Sequence, residues 1–187
     1  MKRQVRVLGI DDSPFTFESK RTLVVGVVSR LPMYVEGIMR TKCDVDGTDA
    51  NEAIADMVLR SRYREQLKVI MIDGVAVGGF NVVDIDRLHR DTGVAWPTVT
   101  LPDYGSMEKA LRAHFRDWEE RMEVIRRHPL YRLGGRRSIY AAATGISIDD
   151  LEMIIEESTV SGSLPEPLRI AHLISSAMVR GESHGRA

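Results

Sequence analysis

Two short apolar runs deliver aspartate at their carboxyl ends. Val5 to Ile10 stops at Asp11-Asp12, and Val69 to Ile72 stops at Asp73-Gly74. Both runs are rich in β-branched residues and read as buried strands. Strand-end aspartate is ordinary turn chemistry when it stands alone. Two such strands in one sheet would set their carboxylates at a single edge, an arrangement suited to a divalent cation. A further acid lies where a run from about Glu36 to Val45 ends, at Asp46, with Asp49 and Glu52 just beyond. Carboxylate oxygens are hard ligands that suit Mg²⁺ or Mn²⁺. A pair of such ions about 4 Å apart generates hydroxide and stabilises the leaving oxygen in phosphodiester hydrolysis. Asp11, Asp12, Asp46 and Asp73 are therefore candidate metal ligands, with Asp49 and Glu52 as alternates, and Asp11, Asp46 and Asp73 are candidate catalytic residues. Neighbours in a strand face opposite sides, so one of Asp11 and Asp12 should point elsewhere unless the strand has already ended. Zinc is a poor match, because the sequence has no Cys/His cluster.

The elements that would position these acids follow from hydrophobic period. The chain opens with three strands in a row, Val5 to Ile10, Thr22 to Ser29 and about Glu36 to Val45, which implies an antiparallel meander. The period then becomes helical. Ala53, Ile54, Met57 and Val58 share one face of a helix from about Asp49 to Ser61, and Asp49 with Glu52 resembles a capping box. The strand Lys68 to Ile72 follows, then a glycine loop and a helix from about Val82 to Asp91 closed by Gly93. A strand from about Val94 to Thr100 precedes one long helix, Met107 to Arg127, whose stripe is Met107, Leu111, Phe115, Trp118, Met122 and Ile125. Beyond it come a turn at Gly134-Gly135, a strand Ser138 to Ala143, a helix Ile148 to Ser158 capped by Ser147, and a helix Pro167 to Met178. The expected architecture is a single α/β domain over residues 1–180, with a disordered tail over 181–187. Its mixed sheet has three antiparallel strands, then βα units, with helices on both faces. That topology resembles the ribonuclease H-like fold, in which acids from the first, third and fourth strands converge at one edge.

Composition narrows the partners. A formal net charge of −1 creates no global field toward nucleic acid or membrane, so binding must come from local patches. No apolar run approaches the ~18 residues of a membrane span, and the start is too short in apolar residues for a signal peptide. The single cysteine, Cys43, forms no intrachain disulfide and reads as a buried thiol in a reducing compartment. These features imply a cytoplasmic protein. Arg112, Arg116, Arg121, Arg126, Arg127, Arg132, Arg136 and Arg137 form a local arginine excess that could contact phosphates, partly neutralised by Asp117, Glu119, Glu120 and Glu123. The last three arginines are the stronger candidates. The loop Gly74 to Gly79 lets backbone approach a base or phosphate, and Gly78, Gly79 and Asn81 are candidate contacts there. It lacks dinucleotide-fingerprint spacing. Tyr34, between the second and third strands, is a candidate wedge into a duplex.

VLGIDDSPF, VDGTDANEAI, VIMIDG and GGFNVVDI together resemble the largely archaeal endonuclease dU family, over most of the chain. That family is similar in turn to endonuclease V. Leu8 to Ser13 is similar to its first catalytic strand, Asp73-Gly74 to its fourth, and Gly145-Ile146-Ser147 with Leu164 to Arg169 to its carboxyl-terminal segment. The resemblance implies a metal-dependent endonuclease of DNA repair, acting on DNA that carries a deaminated base of the deoxyuridine type. It makes Asp11 and Asp73 metal ligands and places the middle acid near Asp46, although counting back from Asp73 selects Glu52. By analogy with endonuclease V, the glycine loop shapes a pocket for a flipped base. A histidine of endonuclease V falls at Thr144 here, and none of the five histidines fits that place by sequence.

Two other classes compete. A non-catalytic nucleic-acid-binding protein on the same fold accords with Thr144, and cleavage of RNA or of inosine-containing strands is a variant of the nuclease. A phosphoacceptor receiver would use IDDSP, but it needs a helix directly after the acid pair, where this chain runs into another strand.

Overall fold

The run Arg21 to Arg30 alternates valines with glycine and serine and buries eight consecutive residues, which requires cover on both of its faces. The computed structural model describes residues 5–16, 18–100, 104–134 and 139–184, and it supplies that cover from two helical layers. β1 (Arg6–Asp12), β2 (Arg21–Arg30) and β3 (Tyr34–Asp44) form the expected antiparallel meander. α1 (Ala50–Leu59) leads into β4 (Leu67–Asp73), which returns parallel to β1. A small hairpin of β5 (Ala76–Val77) and β6 (Asn81–Val82) precedes α2 (Ile85–Thr92) and β7 (Trp96–Thr100). α3 (Tyr104–His114) and α4 (Trp118–Arg126) connect to β8 (Tyr131–Leu133) and β9 (Ile139–Thr144), followed by α5 (Ile148–Ser158) and α6 (Glu166–Arg180).

The sheet has seven strands in the order β3-β2-β1-β4-β7-β9-β8, with β1, β4 and β7 parallel at its centre. An antiparallel neighbour beside β1 excludes the receiver topology. Side-chain alternation divides the core between two faces. Leu8, Ile10, Ile70 and Ile72 pack with Ile54 and Val58 of α1 and Leu88 of α2. Val7, Val69 and Met71 pack with Leu151 and Ile155 of α5 and Leu168 of α6. The parallel strands are covered on both sides, which is why Val69 to Ile72 shows no polar alternation.

Three sequence expectations change. The long helix is broken at residues 115–117, yet all six residues of its stripe join one cluster with Val75, Phe80 and Val82. The break turns Arg121 inward, where its ion pair with Asp117 and the carbonyls of Gly47 and Phe80 replace water. The capping box at α1 does not form. Asp49 makes no side-chain cap bond, and its Oδ1 instead accepts from the amide of Asp44 and from Asn81 Nδ2. The segment before β9 also forms a short strand, β8, paired with it. Ser147 does cap α5, accepting from the Asp150 amide. Among the described residues no helix is long and apolar enough to cross a membrane. The expected tail falls partly outside the described residues.

Candidate active site

Asp11 and Asp73 owe their meeting to register. β1 and β4 run parallel with Ile10 opposite Ile72, so the next pair along is Asp11 and Asp73. Both continue the odd-numbered side of their strands, the side of Val7, Val69 and Met71, and so lie toward α6. Gly9 makes that approach possible. A Cβ on Gly9 would stand 2.4 Å from the Pro167 carbonyl carbon and 2.6 Å from the Leu168 nitrogen, so the first turn of α6 rests on bare strand backbone. From there the helix follows the strand. Seven helical residues rise about 10 Å, and three strand residues rise about 10 Å. Leu168 at Gly9 therefore implies Ser175 at Asp12, and the Ser175 hydroxyl donates to the Asp12 carbonyl at 3.0 Å. Between them lies His172, whose Nδ1 is 2.8 Å from Asp11 Oδ2. When Asp11 is ionised its carboxylate only accepts, so in that state Nδ1 carries the proton and Nε2 is left for other partners.

The charges at this edge are poorly compensated. The Asp11 carboxyl is pushed up to about 7, chiefly by burial, then by the negative charges of Asp73 and Asp12, against the opposing hydrogen bond and charge of His172. Burial likewise raises Asp73 and Asp12 above the ordinary carboxylate range. Perturbed carboxyls gathered at one edge mark a candidate functional site. Among the described residues no three His, Cys, Asp or Glu groups stand close enough to hold one metal ion, so the four-carboxylate cage expected from sequence is not formed. What is formed is a pair, Asp11 and Asp73, with a histidine on one member.

The remaining acids hold the glycine loop. Asp12 Oδ2 accepts from the Gly78 amide at 2.9 Å. Asp46, at φ 58°, donates its amide to the Gly78 carbonyl, and its Oδ1 accepts from the Phe80 amide at 2.9 Å. Asn81 is fully buried, accepts from the Ala50 amide and donates to the Asp44 carbonyl and to Asp49. Glu52 pairs with Arg87 at 3.1 Å on the exposed face. The largest charge effects on Asp11 come from Asp73, Asp12 and His172. Gly78 and Gly79 both take positive φ, and a Cβ on Gly79 would stand 2.4 Å from Asp46 Oδ1. The loop thus requires glycine there.

The expected nucleic-acid contacts separate. Tyr34 pairs with Arg30, which pairs with Arg6, so it lies five strand residues, about 16 Å, from the level of Asp11. Arg132 sits on edge strand β8 opposite Tyr140, in the row beside that of Asp73, Val99, Ala141 and Tyr131. Arg136 and Arg137 lie outside the described residues. Much of the arginine excess is already engaged. Arg121 is buried and holds loop carbonyls, Arg112 stacks on Trp118, Arg126 pairs with Glu108, and Arg127 pairs with Asp84. Thr144 pairs with Trp96 at the start of β7, three residues, about 10 Å, from the Asp73–Val99 pair. The site's histidine is instead His172, from another element. One signal was available, since His172 falls on the same helical stripe as Leu168 and Ser175.

A family model described as Endonuclease dU matches residues 3–179. A protein of Thermococcus gammatolerans named UPF0215 is 45% identical over 190 residues, 98% of this chain and 96% of that protein. A solved structure from Archaeoglobus fulgidus, titled a protein of unknown function, superposes with TM-score 0.85 at 36% identity, covering 95% of this chain and all of that one. Ciona intestinalis endonuclease V, solved with a 24mer DNA containing an inosine followed by a ribo-adenosine, superposes with TM-score 0.57 at 14% identity. It covers 91% of this chain and 84% of that one. The last similarity shows the fold, a mixed ribonuclease H-like sheet.

Proposed function

The chain belongs to the endonuclease dU family, and from that premise we propose that it is a metal-dependent endonuclease of DNA carrying a deaminated base, deoxyuridine first. The observation that carries the reading is the pair Asp11 and Asp73, side by side on parallel strands at an edge where burial raises both, with the charges of Asp73 and Asp12 adding to it at Asp11 and that of Asp12 at Asp73. Two half-compensated carboxylates are relieved by a dication. Mg²⁺ in particular binds through one or two carboxylates and keeps water and substrate phosphate as its other ligands, so a pair is a sufficient protein contribution. Mn²⁺ suits the same oxygen donors. Asp11 and Asp73 would hold the ion, which when bound supplies hydroxide near neutral pH and offsets charge on the phosphate.

The rest of the work falls to this chain's own groups. Asp11 fixes the His172 ring through Nδ1, leaving Nε2 to hold or deliver a proton at the reacting phosphate. His172 is partly exposed, at 43%, and so within reach of a substrate. Ser175 fixes α6 to the end of β1 and with it the height of that ring. Asp12 and Asp46 hold the glycine loop as a fixed backbone surface beside the acids, suited to an extruded base. Endonuclease V of Ciona bound inosine-containing DNA in its crystal, which supports a deaminated base as the substrate class here and keeps hypoxanthine beside uracil in the test.

The test is nicking of labelled duplexes that contain uracil, hypoxanthine or no lesion, with Mg²⁺, Mn²⁺ or EDTA. Metal-dependent nicking of a lesion duplex that falls at least about 10³-fold in Asp73→Asn is the expected result. Binding without nicking in any metal would overturn the enzyme in favour of a non-catalytic nucleic-acid-binding protein.

A further inference from the structure

Among the described residues of the loop between β1 and β2, one large apolar side chain reaches out into solvent. Phe15 is 39% exposed, four residues after Asp11. A single exposed phenylalanine is unremarkable by itself, but three observations at this position converge on a flat ligand. The ring lies against Gly79, its Cζ 3.4 Å from where a Cβ of that residue would stand. Any side chain at Gly79 would therefore fill the space beside the ring as well as collide with Asp46. The two segments are also clamped together, because Asp12 Oδ2 holds the Gly78 amide, while Asp46, between β3 and α1, fixes the loop through the Phe80 amide. Finally, Gly79 is exposed, and among the described residues no hydrogen bond uses its own amide or carbonyl, while its neighbours' groups are spent on Asp12, Asp46 and Arg121. An exposed aromatic face thus stands next to one unspent donor and one unspent acceptor, on a rigid mount joined to the strand that bears Asp11.

We propose that Phe15 is the stacking surface for a nucleobase taken out of the helix, with the bare backbone of Gly79 beside it. The inference rests on the nuclease reading above for its substrate and adds the residue that holds the base. A ring offers every base a π-face, so stacking supplies grip. The amide and carbonyl of Gly79 are each free to meet a polar group of such a base. Among the described residues the other exposed aromatics are worse placed, Tyr34 at the far end of the sheet and Tyr131 three strands from Asp73.

The experiment compares wild type with Phe15→Ala and Phe15→Trp on the uracil duplex, following KM and kcat for nicking. Tryptophan emission of Phe15→Trp is recorded in the Asp73→Asn background during titration with the same duplex, and thermal melting checks that each variant is folded. The expected result is a KM raised about tenfold in Phe15→Ala, the size of one base–aromatic stack, with nicking largely restored in Phe15→Trp. Emission of that tryptophan should be quenched by the uracil duplex and less by the undamaged one. Unchanged KM in Phe15→Ala together with unquenched emission, while wild type nicks, would overturn the inference and leave the nuclease standing. Quenching without nicking by wild type would overturn the nuclease and keep Phe15 as a base-binding residue.

Discussion

The two ends of the central sheet treat carboxylates in opposite ways. At the amino ends of β1 and β4, Glu36 is nearly buried and held by two guanidiniums, Arg6 and Arg30, the latter at 3.0 Å. At the carboxyl ends Asp11 and Asp73 are as deeply placed, but the nearby charges are each other, Asp12 and one histidine. Near Glu36 lies a cavity of about 1480 Å³ lined by Arg6, Arg30, Lys68 and apolar side chains such as Val69 and Ile146, so concavity alone would direct attention away from the proposed site. The contrast teaches that a structural acid brings its counter-charge with it, whereas a working acid is left short of one. Such a shortage costs stability and persists only where another agent supplies the missing charge.

Three measurements would break or sharpen that contrast. The largest effect is expected at His172, whose hydrogen bond and charge partly compensate Asp11. His172→Ala should lower nicking about 10²- to 10⁴-fold and move the pH–rate profile to higher pH, because the hydrogen bond and charge that lower Asp11 are lost. An unchanged profile would reduce the histidine to packing. Glu36→Gln is the matching change at the other end. It should leave nicking within about twofold of wild type but cost about 1–3 kcal/mol in denaturant unfolding, because two guanidiniums lose their partner. Loss of nicking in that variant would show that the two ends are not separable.

The smallest effect is the dependence of stability on pH. Asp11 is held at about 7 in the fold, against about 3.9 for an unfolded aspartate. A carboxyl raised in the folded state stabilises it fully below the unfolded value and loses that contribution as pH climbs through the folded one. The metal-free protein in EDTA should therefore melt about 5 °C lower at pH 8 than at pH 5, the size that about 2 kcal/mol gives in a chain of this length. Asp11→Asn should remove most of the slope. A melting temperature rising over that interval would contradict the uncompensated pair.

Much of this was legible from residue order, and the gaps have local causes. Both strand-end aspartates were visible because parallel strands buried on two faces read as unbroken apolar runs. The break in the long helix is silent in the sequence because Phe115 and Trp118 keep the stripe in phase across residues 115–117. Asp46 and Asp49 had the right type and neighbourhood for ligands, yet their oxygens accept from Phe80 and Asn81, partners more than thirty residues on. Thr144 was matched to a histidine on a local likeness, and pairing with Trp96 sets it at the start of β7, away from Asp73.

By itself the sequence determined which strands exist, where they stop, and that Asp11 and Asp73 end two of them. Period and turn chemistry act over a few residues, and a strand's end is written in its own neighbours. It could not determine that α6 would lie along β1, since this depends on Gly9 lacking a side chain beneath Pro167 and Leu168, across more than one hundred and fifty residues of chain. That close approach, together with the equal rise of seven helical and three extended residues, delivers His172 to Asp11. Register between distant segments is a property of packed backbone, and only the tertiary structure decides it.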